Sequence, residues 1–404
     1  MAHKKGLRVY PVEEIDASQP SSQREPSEND QAECKASDMM NTFKVKLRVI
    51  GAIASKDLID AFKNRNILGL LLTVFMIVAL YRYLPEFESK ENLPRLVVYD
   101  RGDSAWIARW DANPDYDLIA TESQAEMDRY VSDTDLDMLG LILPQDFDQR
   151  IERGGGVTLD GYVIHWASDE AVDSISSFFG NQLSESVKQP VDLDLEGHTL
   201  YTQMDSRGYA FMTSLAVLLA LSMGGMYIIP HLMFEEKQTR TIDSLMVSPA
   251  TQVEILISKV LTGGTISILA GVLAFAVNAV LVTQWWMAIL ACLSGALFFV
   301  SVGLLVGIVL ENRQQLALWG FLLMFAMIVP GLLVTTLETF LKAEILTILR
   351  LTPSLAFINL VRAAFTNPVP IRLVGMNLAL LLGWAAVLYL VILFVLRRKD
   401  RANV

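Results

Sequence analysis

With 404 residues, 52% of them hydrophobic, and a mean hydropathy of +0.39, the chain is too apolar for an ordinary soluble protein. Its 33 Lys and Arg against 44 Asp and Glu leave a net charge of −11, which argues against nucleic acid as a partner. The two cysteines, Cys34 in a polar stretch and Cys292 in an apolar run, have neither disulfide-framework nor zinc-site spacing.

In chain order, residues 1–43 are rich in Pro, Ser, Glu and Gln and lack an apolar core of signal-peptide length, so they are expected to form a disordered cytoplasmic tail. Residues 44–66 place Leu47, Ile50, Ala54, Leu58 and Phe62 at helical spacing, with Val49 and Ile53 alongside and Lys44, Arg48, Lys56 and Lys63 on other faces. That pattern predicts a basic amphipathic helix lying in the membrane interface, in contact with lipid. Residues 67–84 form the first of six apolar runs. The others are Tyr209–Met233, Val260–Val282, Trp285–Leu310, Leu316–Phe340 and Leu373–Leu396. Each meets the roughly 18–25 residues needed to cross about 30 Å of hydrocarbon. The expected fold class is therefore a mainly α-helical membrane protein with six transmembrane helices.

Residues 85–208, between the first two runs, predict an extracytoplasmic α/β domain. Strands at Leu96–Tyr99, Leu139–Leu143 and Val157–Trp166 alternate with helices at Ser104–Trp110, Ser123–Tyr130, Asp146–Glu152 and Asp169–Glu185. Ser123 and Glu126 have capping-box spacing. Gly154–Gly156 lacks the Gly-Lys-Ser/Thr ending of a phosphate loop and leads into a strand, so it reads as a turn. His165 and His198 have no ligand cluster beside them and read as structural.

The positive-inside rule sets the topology. Lys44, Lys46, Arg48, Lys56, Lys63 and Arg65 precede the first run, and Arg397, Arg398, Lys399 and Arg401 follow the last, so both termini are expected in the cytoplasm. Lys237, Arg240 and Arg313 fall on the same side, and the acidic loop falls outside. Lys342, Arg350, Arg362 and Arg372 lie on the outer side in this scheme and are read as snorkelling side chains. No ionisable residue sits near the middle of a run, which argues against a carrier driven through an intramembrane carboxylate. Asn278 is the main buried polar candidate, for an interhelical hydrogen bond. Gly263, Gly264, Gly271 and the Gly303/Gly307 pair have the spacing of close helix contacts within one subunit. There is no Walker motif.

The stretch Phe234–Lys259, FEEKQTRTIDSLMVSPATQVEILISK, is a charged insert between two apolar runs. Within it, residues 234–246 predict a short helix with Phe234, Ile242, Leu245 and Met246 beside Glu235, Glu236, Lys237 and Arg240. Ser248-Pro249 ends that helix, and Thr251 with Glu254 has the capping-box spacing that opens the next. A charged helix at the membrane surface is suited to being gripped by a water-phase partner.

Three features together resemble the ABC type-2 transporter permease family: this insert, Lys56-Asp57 through Arg65, and TPSLAFINLVRAAF at Thr352–Phe365. With the six-run plan the resemblance covers residues 44–400. The large external domain resembles the multidrug, sodium-efflux and antibiotic-resistance branch. The resemblance implies an export permease in the plasma membrane for a small amphiphilic or hydrophobic compound or an ion. It implies a cytoplasmic ABC ATPase subunit as partner and a second permease copy or paralogue. ATP and Mg would sit on the ATPase, with no cofactor and no catalytic residue on this chain. It further implies that Phe234, Glu235, Glu236, Lys237, Arg240, Ile242 and Leu245 form the ATPase-docking coupling helix, flanked by the interfacial helix that carries Lys44, Arg48, Lys56 and Phe62. Two other classes stay open: an ATPase-driven mechanotransmitter acting on an extracytoplasmic partner, and a membrane receptor without transport.

Overall fold

A computed structural model of the chain describes residues 28–88, 93–133, 138–238, 251–310 and 312–402. Of the described residues, 28–49 belong to one unit and those from 50 onward to the other. Helix α1 (Glu28–Lys63) runs across that division and breaks at Asn64, where α2 (Arg65–Glu88) begins. The two helices bend by 73° at the break.

Within residues 50–63 the buried strip of α1 is Ile50, Ile53, Asp57 and Ala61, spaced to fall on one helical face. Phe62 is 42% exposed, and Leu47 is exposed as well, so these two residues of the expected apolar face lie outside that strip. The acidic Asp57 in the middle of the strip keeps it from standing out as an apolar pattern.

Next comes an α/β region. Strands β1 (Arg95–Asp100), β2 (Asp117–Thr121), β3 (Met138–Leu143), β4 (Val157–Ile164), β5 (Val191–Asp194) and β6 (Thr199–Leu200) alternate with helices through most of it. These helices are α3 (Trp106–Asp111), α4 (Gln124–Asp133), α5 (Phe147–Arg153) and α6 (Asp169–Val187). The sheet order is β2-β1-β3-β4-β5, with β6 also on β4. Strand β1 runs parallel to β2 and β3, β4 is antiparallel to β3, and β5 and β6 are parallel to β4.

The two-residue period of a strand splits the apolar residues between two layers. Leu96, Val98, Leu141, Phe147 and Phe179 fill one, and Val97, Met127, Val131 and Ile142 the other. Being covered on both faces explains the uninterrupted apolar sequence of β3. At Gly154–Gly156 all three φ angles are positive, at 73°, 114° and 86°, a conformation glycine adopts at little cost.

Helix α7 (Tyr209–Ser222) passes through a π-helical turn (Met223–Ile228) into α8 (Ile229–Gln238). Then follow α9 (Gln252–Val277), α10 (Trp285–Val309), α11 (Arg313–Leu337), the short α12 (Ala343–Arg350) and α13 (Pro353–Ala363), and α14 (Ile371–Ala402). Among the described residues, five helices are long and apolar enough to cross a membrane: Tyr209–Glu235, Val253–Val277, Trp285–Val309, Gln314–Phe340 and Ile371–Arg398. The run at 67–84 enters as the second half of the bent α1/α2 pair. It and the α12/α13 pair, bent by 74°, bring the number to seven if each pair counts as one span.

The core lies around Tyr209–Glu235, whose most apolar stretch is 78% buried, whereas that of Gln314–Phe340 is only 11% buried. Gly303 seals a contact within the chain, since a Cβ there would come within 2.0 Å of the Gly225 carbonyl oxygen.

Candidate functional site

The described ends of the charged insert are Glu235 on α8 and Lys259 on α9. Both are tied to the α1–α2 corner. Asn64 Nδ2 donates to Glu235 Oε2 at 2.9 Å. Lys259 Nζ donates to Asp57 Oδ2 at 2.7 Å, with the two side chains only 4% and 3% exposed. Thr262, one turn further along α9, donates to the Ala54 carbonyl at 3.3 Å. Ala61 and Ile67 close over Ile228, Leu232 and Ile266.

The start of α9 is fixed locally. Thr251 N donates to Glu254 Oε2 at 2.9 Å, and Glu254 N donates to Thr251 Oγ1 at 3.3 Å, so both halves of the capping box are present. Lys259 therefore stands two turns into a helix whose first amides are already satisfied. Removing either partner of a buried ion pair would leave the other charge buried and uncompensated. The pair gives this corner a directional lock that apolar packing lacks.

The expected docking residues fall in different places. Phe234, on α8, is buried at 1% exposure. Glu235 faces Asn64. Glu236 and Lys237 lie in the last turn of α8. Arg240, Ile242 and Leu245 lie outside the described residues, as does Met246. Lys44 and Arg48 are exposed, and Lys56 forms an exposed pair with Asp60 at 3.7 Å. Asp57 and Lys259, a deeply buried ion pair at this corner, were not among the expected residues. The signal was an acidic residue set seven after Ile50 and four after Ile53.

At the far end of α9 a second junction joins the helices to the sheet. Lys259 and Val277 are roughly 27 Å apart along the axis of α9. Beyond Val277, the Leu281 carbonyl accepts a hydrogen bond from His165 Nε2 at 3.3 Å, and the His165 ring stacks on Tyr201. Burial pushes the His165 pKa below its ordinary value, so the ring is neutral near pH 7, and the bond to a carbonyl puts its proton on Nε2.

Arg362 on α13 corrects the snorkelling reading. It is 5% exposed and donates to the Met204 carbonyl at 3.0 Å, the Ser206 carbonyl at 2.7 Å and Thr335 Oγ1 at 3.4 Å. Its guanidinium lies 4.8 Å from the centre of the Phe211 ring. Nearby, Tyr209 donates to Asn278 Oδ1 at 3.1 Å, the buried interhelical bond expected of Asn278. Among the described residues, no three His, Cys, Asp or Glu side chains come together as a metal ligand set.

A family model described as ABC-2 family transporter protein matches residues 67–394. The chain belongs to the ABC-2 transporter family. No curated protein and no solved structure matches it. The chain is thus a multi-pass membrane permease, a membrane subunit of an ABC transporter, from a family that works with an ABC ATPase. Glu235, Lys259 and Arg362 lie inside the matched stretch of the permease, while Asp57 and Asn64 lie just before it.

Proposed function

We propose that this permease exports a small amphiphilic or hydrophobic compound, or an ion, and that a cytoplasmic ABC ATPase drives it through residues 234–246. The observation that carries the reading is that both described ends of the insert are held to one corner, Glu235 to Asn64 and Lys259 to Asp57. A load applied to the insert would reach α1, α2 and α9 together. Glu236, Lys237, Arg240, Ile242 and Leu245 meet the ATPase in this scheme, while Phe234 and Glu235 hold the insert's base. ATP and Mg bind on the ATPase.

Counting α2 as a span and α12/α13 as a re-entrant pair gives six crossings, with both termini in the cytoplasm of a plasma-membrane protein and the sheet outside. The exposed Lys44, Arg48, Lys56 and Phe62 of α1 then meet lipid headgroups and the flank of the ATPase. A second permease copy or paralogue completes the transport unit, and the sparse burial of α11 within the chain supports this.

The test is to purify the chain with its ATPase from native membranes, then change Glu236 and Lys237 to Ala together with Arg240→Ala. Loss of the ATPase with the permease still inserted is the expected result; unchanged recovery would remove residues 234–246 from the docking surface.

A second reading has its own observation. Arg362 holds the stem at Met204 and Ser206 that joins the sheet to α7. Motion of the helices could then act on an external partner through the sheet, with no transported compound. Vesicles loaded with candidate compounds separate the two: ATP-dependent efflux supports export, and ATP turnover without efflux supports mechanical work.

A further inference from the structure

A cleft of about 470 Å³ lies where the sheet meets the loop between α13 and α14. One wall is the segment Thr199–Asp205 with Asp128 of α4. The other is Thr366, Asn367, Pro368 and Pro370. Its volume is in the range of small-molecule pockets, about 300–1,000 Å³.

The charge on its walls has one sign. Asp128 and Asp205 line it, and no Lys, Arg or His does. Asp205 is paired with Arg129 at 3.0 Å. Asp128 is different: its Oδ1 is shielded from solvent and has no hydrogen-bond partner among the described residues. Thr202 is 3% exposed, and its Oγ1 likewise has no partner there. A buried polar atom without a partner is uncommon in a folded protein. Burial raises the Asp128 pKa, and no neighbouring positive charge or hydrogen bond opposes the shift.

The rest of the lining mixes neutral polar residues, Thr199, Gln203, Thr366 and Asn367 among them, with apolar ones. Leu200, Tyr201, Met204, Pro368 and Pro370 supply apolar surface, and the two prolines have no backbone N–H. A bare metal ion would find too few ligands here, since no cluster of three suitable side chains exists among the described residues. An anion would meet carboxylates. An ammonium group joined to an apolar skeleton would meet the Asp128 carboxylate as its counter-charge and the Tyr201 ring as a face for the cation.

We propose that this cleft binds a small organic amine in its ammonium form, with Asp128 as the residue that selects the charge. The site touches both the sheet and the loop leading into α14, so an occupant would bear on both. It stands apart from the insert and does not depend on how an ATPase docks.

The experiment is isothermal titration of the full chain in lipid nanodiscs with 2-phenylethylammonium. The neutral 2-phenylethanol and the anionic phenylacetate are run beside it. Saturable binding of the amine, at least ten-fold tighter than the alcohol and with no binding of the anion, is expected. Asp128→Asn should reduce amine affinity at least ten-fold, and Asp128→Glu should retain most of it, with the thermal melting of both variants checked against the parent. If amine and alcohol bind alike, if the anion binds instead, if no saturable signal is seen, or if a folded Asp128→Asn binds the amine as the parent does, the proposal is overturned.

Discussion

The two ends of α9 are fastened in different ways. At its start, side chain meets side chain: Lys259 with Asp57, while Asn64 holds Glu235 on the neighbouring α8. Around its far end, backbone carbonyls are the main acceptors: His165 bonds the Leu281 carbonyl and, close by, Arg362 of α13 holds two carbonyls of the sheet's stem, with Tyr209 and Asn278 as the one side-chain pair described there. A pair of side chains can be released by a change at either partner, and it is specific to both. A guanidinium holding carbonyls ties down whatever sequence the stem carries, so its grip depends on one residue alone. The first arrangement suits a joint that receives an input from outside, and the second suits a fixed mount.

The largest expected effect is at the fixed mount. Arg362→Met leaves two buried carbonyls without donors, a loss of about 2–6 kcal/mol at about 1–3 kcal/mol for each unsatisfied group. Arg362→Lys should recover little of it, because an ammonium lacks the planar fork that spans both carbonyls. Thermal melting of the purified permease measures both.

The next effect is at the joint. Lys259→Met strands a buried carboxylate and should cost about 3–5 kcal/mol, whereas Lys259→Met with Asp57→Leu should return close to parent stability. A double variant as unstable as the single one would show that the pair does more than compensate charge. Asn64→Ala removes one hydrogen bond to a carboxylate and should cost about 1.5–3 kcal/mol at most. Its sharper signature in the export reading is ATP turnover that no longer matches transport.

The smallest effect depends on pH. The folded His165 pKa lies below its unfolded value of about 6.5, so its contribution to stability is complete above that pH. It is lost as pH falls through the lowered folded value, because the unfolded chain takes up the proton first. A melting curve that weakens below about pH 6.5 in the parent, and less so in His165→Gln, is expected.

The sequence makes some of these features readable and hides others for physical reasons. Long apolar runs show α7, α9, α10, α11 and α14 because crossing hydrocarbon demands length and apolarity together. Strands β1, β3 and β4 are readable because their buried residues are contiguous or alternate cleanly. Strands β2 and β5 pass unnoticed: Asp117–Thr121 and Val191–Asp194 are short and carry acidic residues. The Thr251/Glu254 box is legible because it is local. Asp57–Lys259 is not, because its partners stand 202 positions apart and no periodicity on either helix names the other. Arg362 was misplaced for a related reason. A lone arginine in an apolar helix looks the same whether it reaches to water or to carbonyls of a distant stem.

The π-helical turn at Met223–Ile228 bears on how the sequence can drift. Its Gly225 carbonyl lies where a Cβ on Gly303 would stand, at 2.0 Å, and Gly225 itself is pressed against the α10 backbone at Phe299 and Val300. Neither glycine can acquire even a methyl group unless the other helix gives way, so substitution at this crossing must be concerted or not occur. Gly264 and Gly375, with nothing within 4 Å, carry no such restriction. Within one bundle, then, the same residue type is fixed at one crossing and free to vary a few turns away.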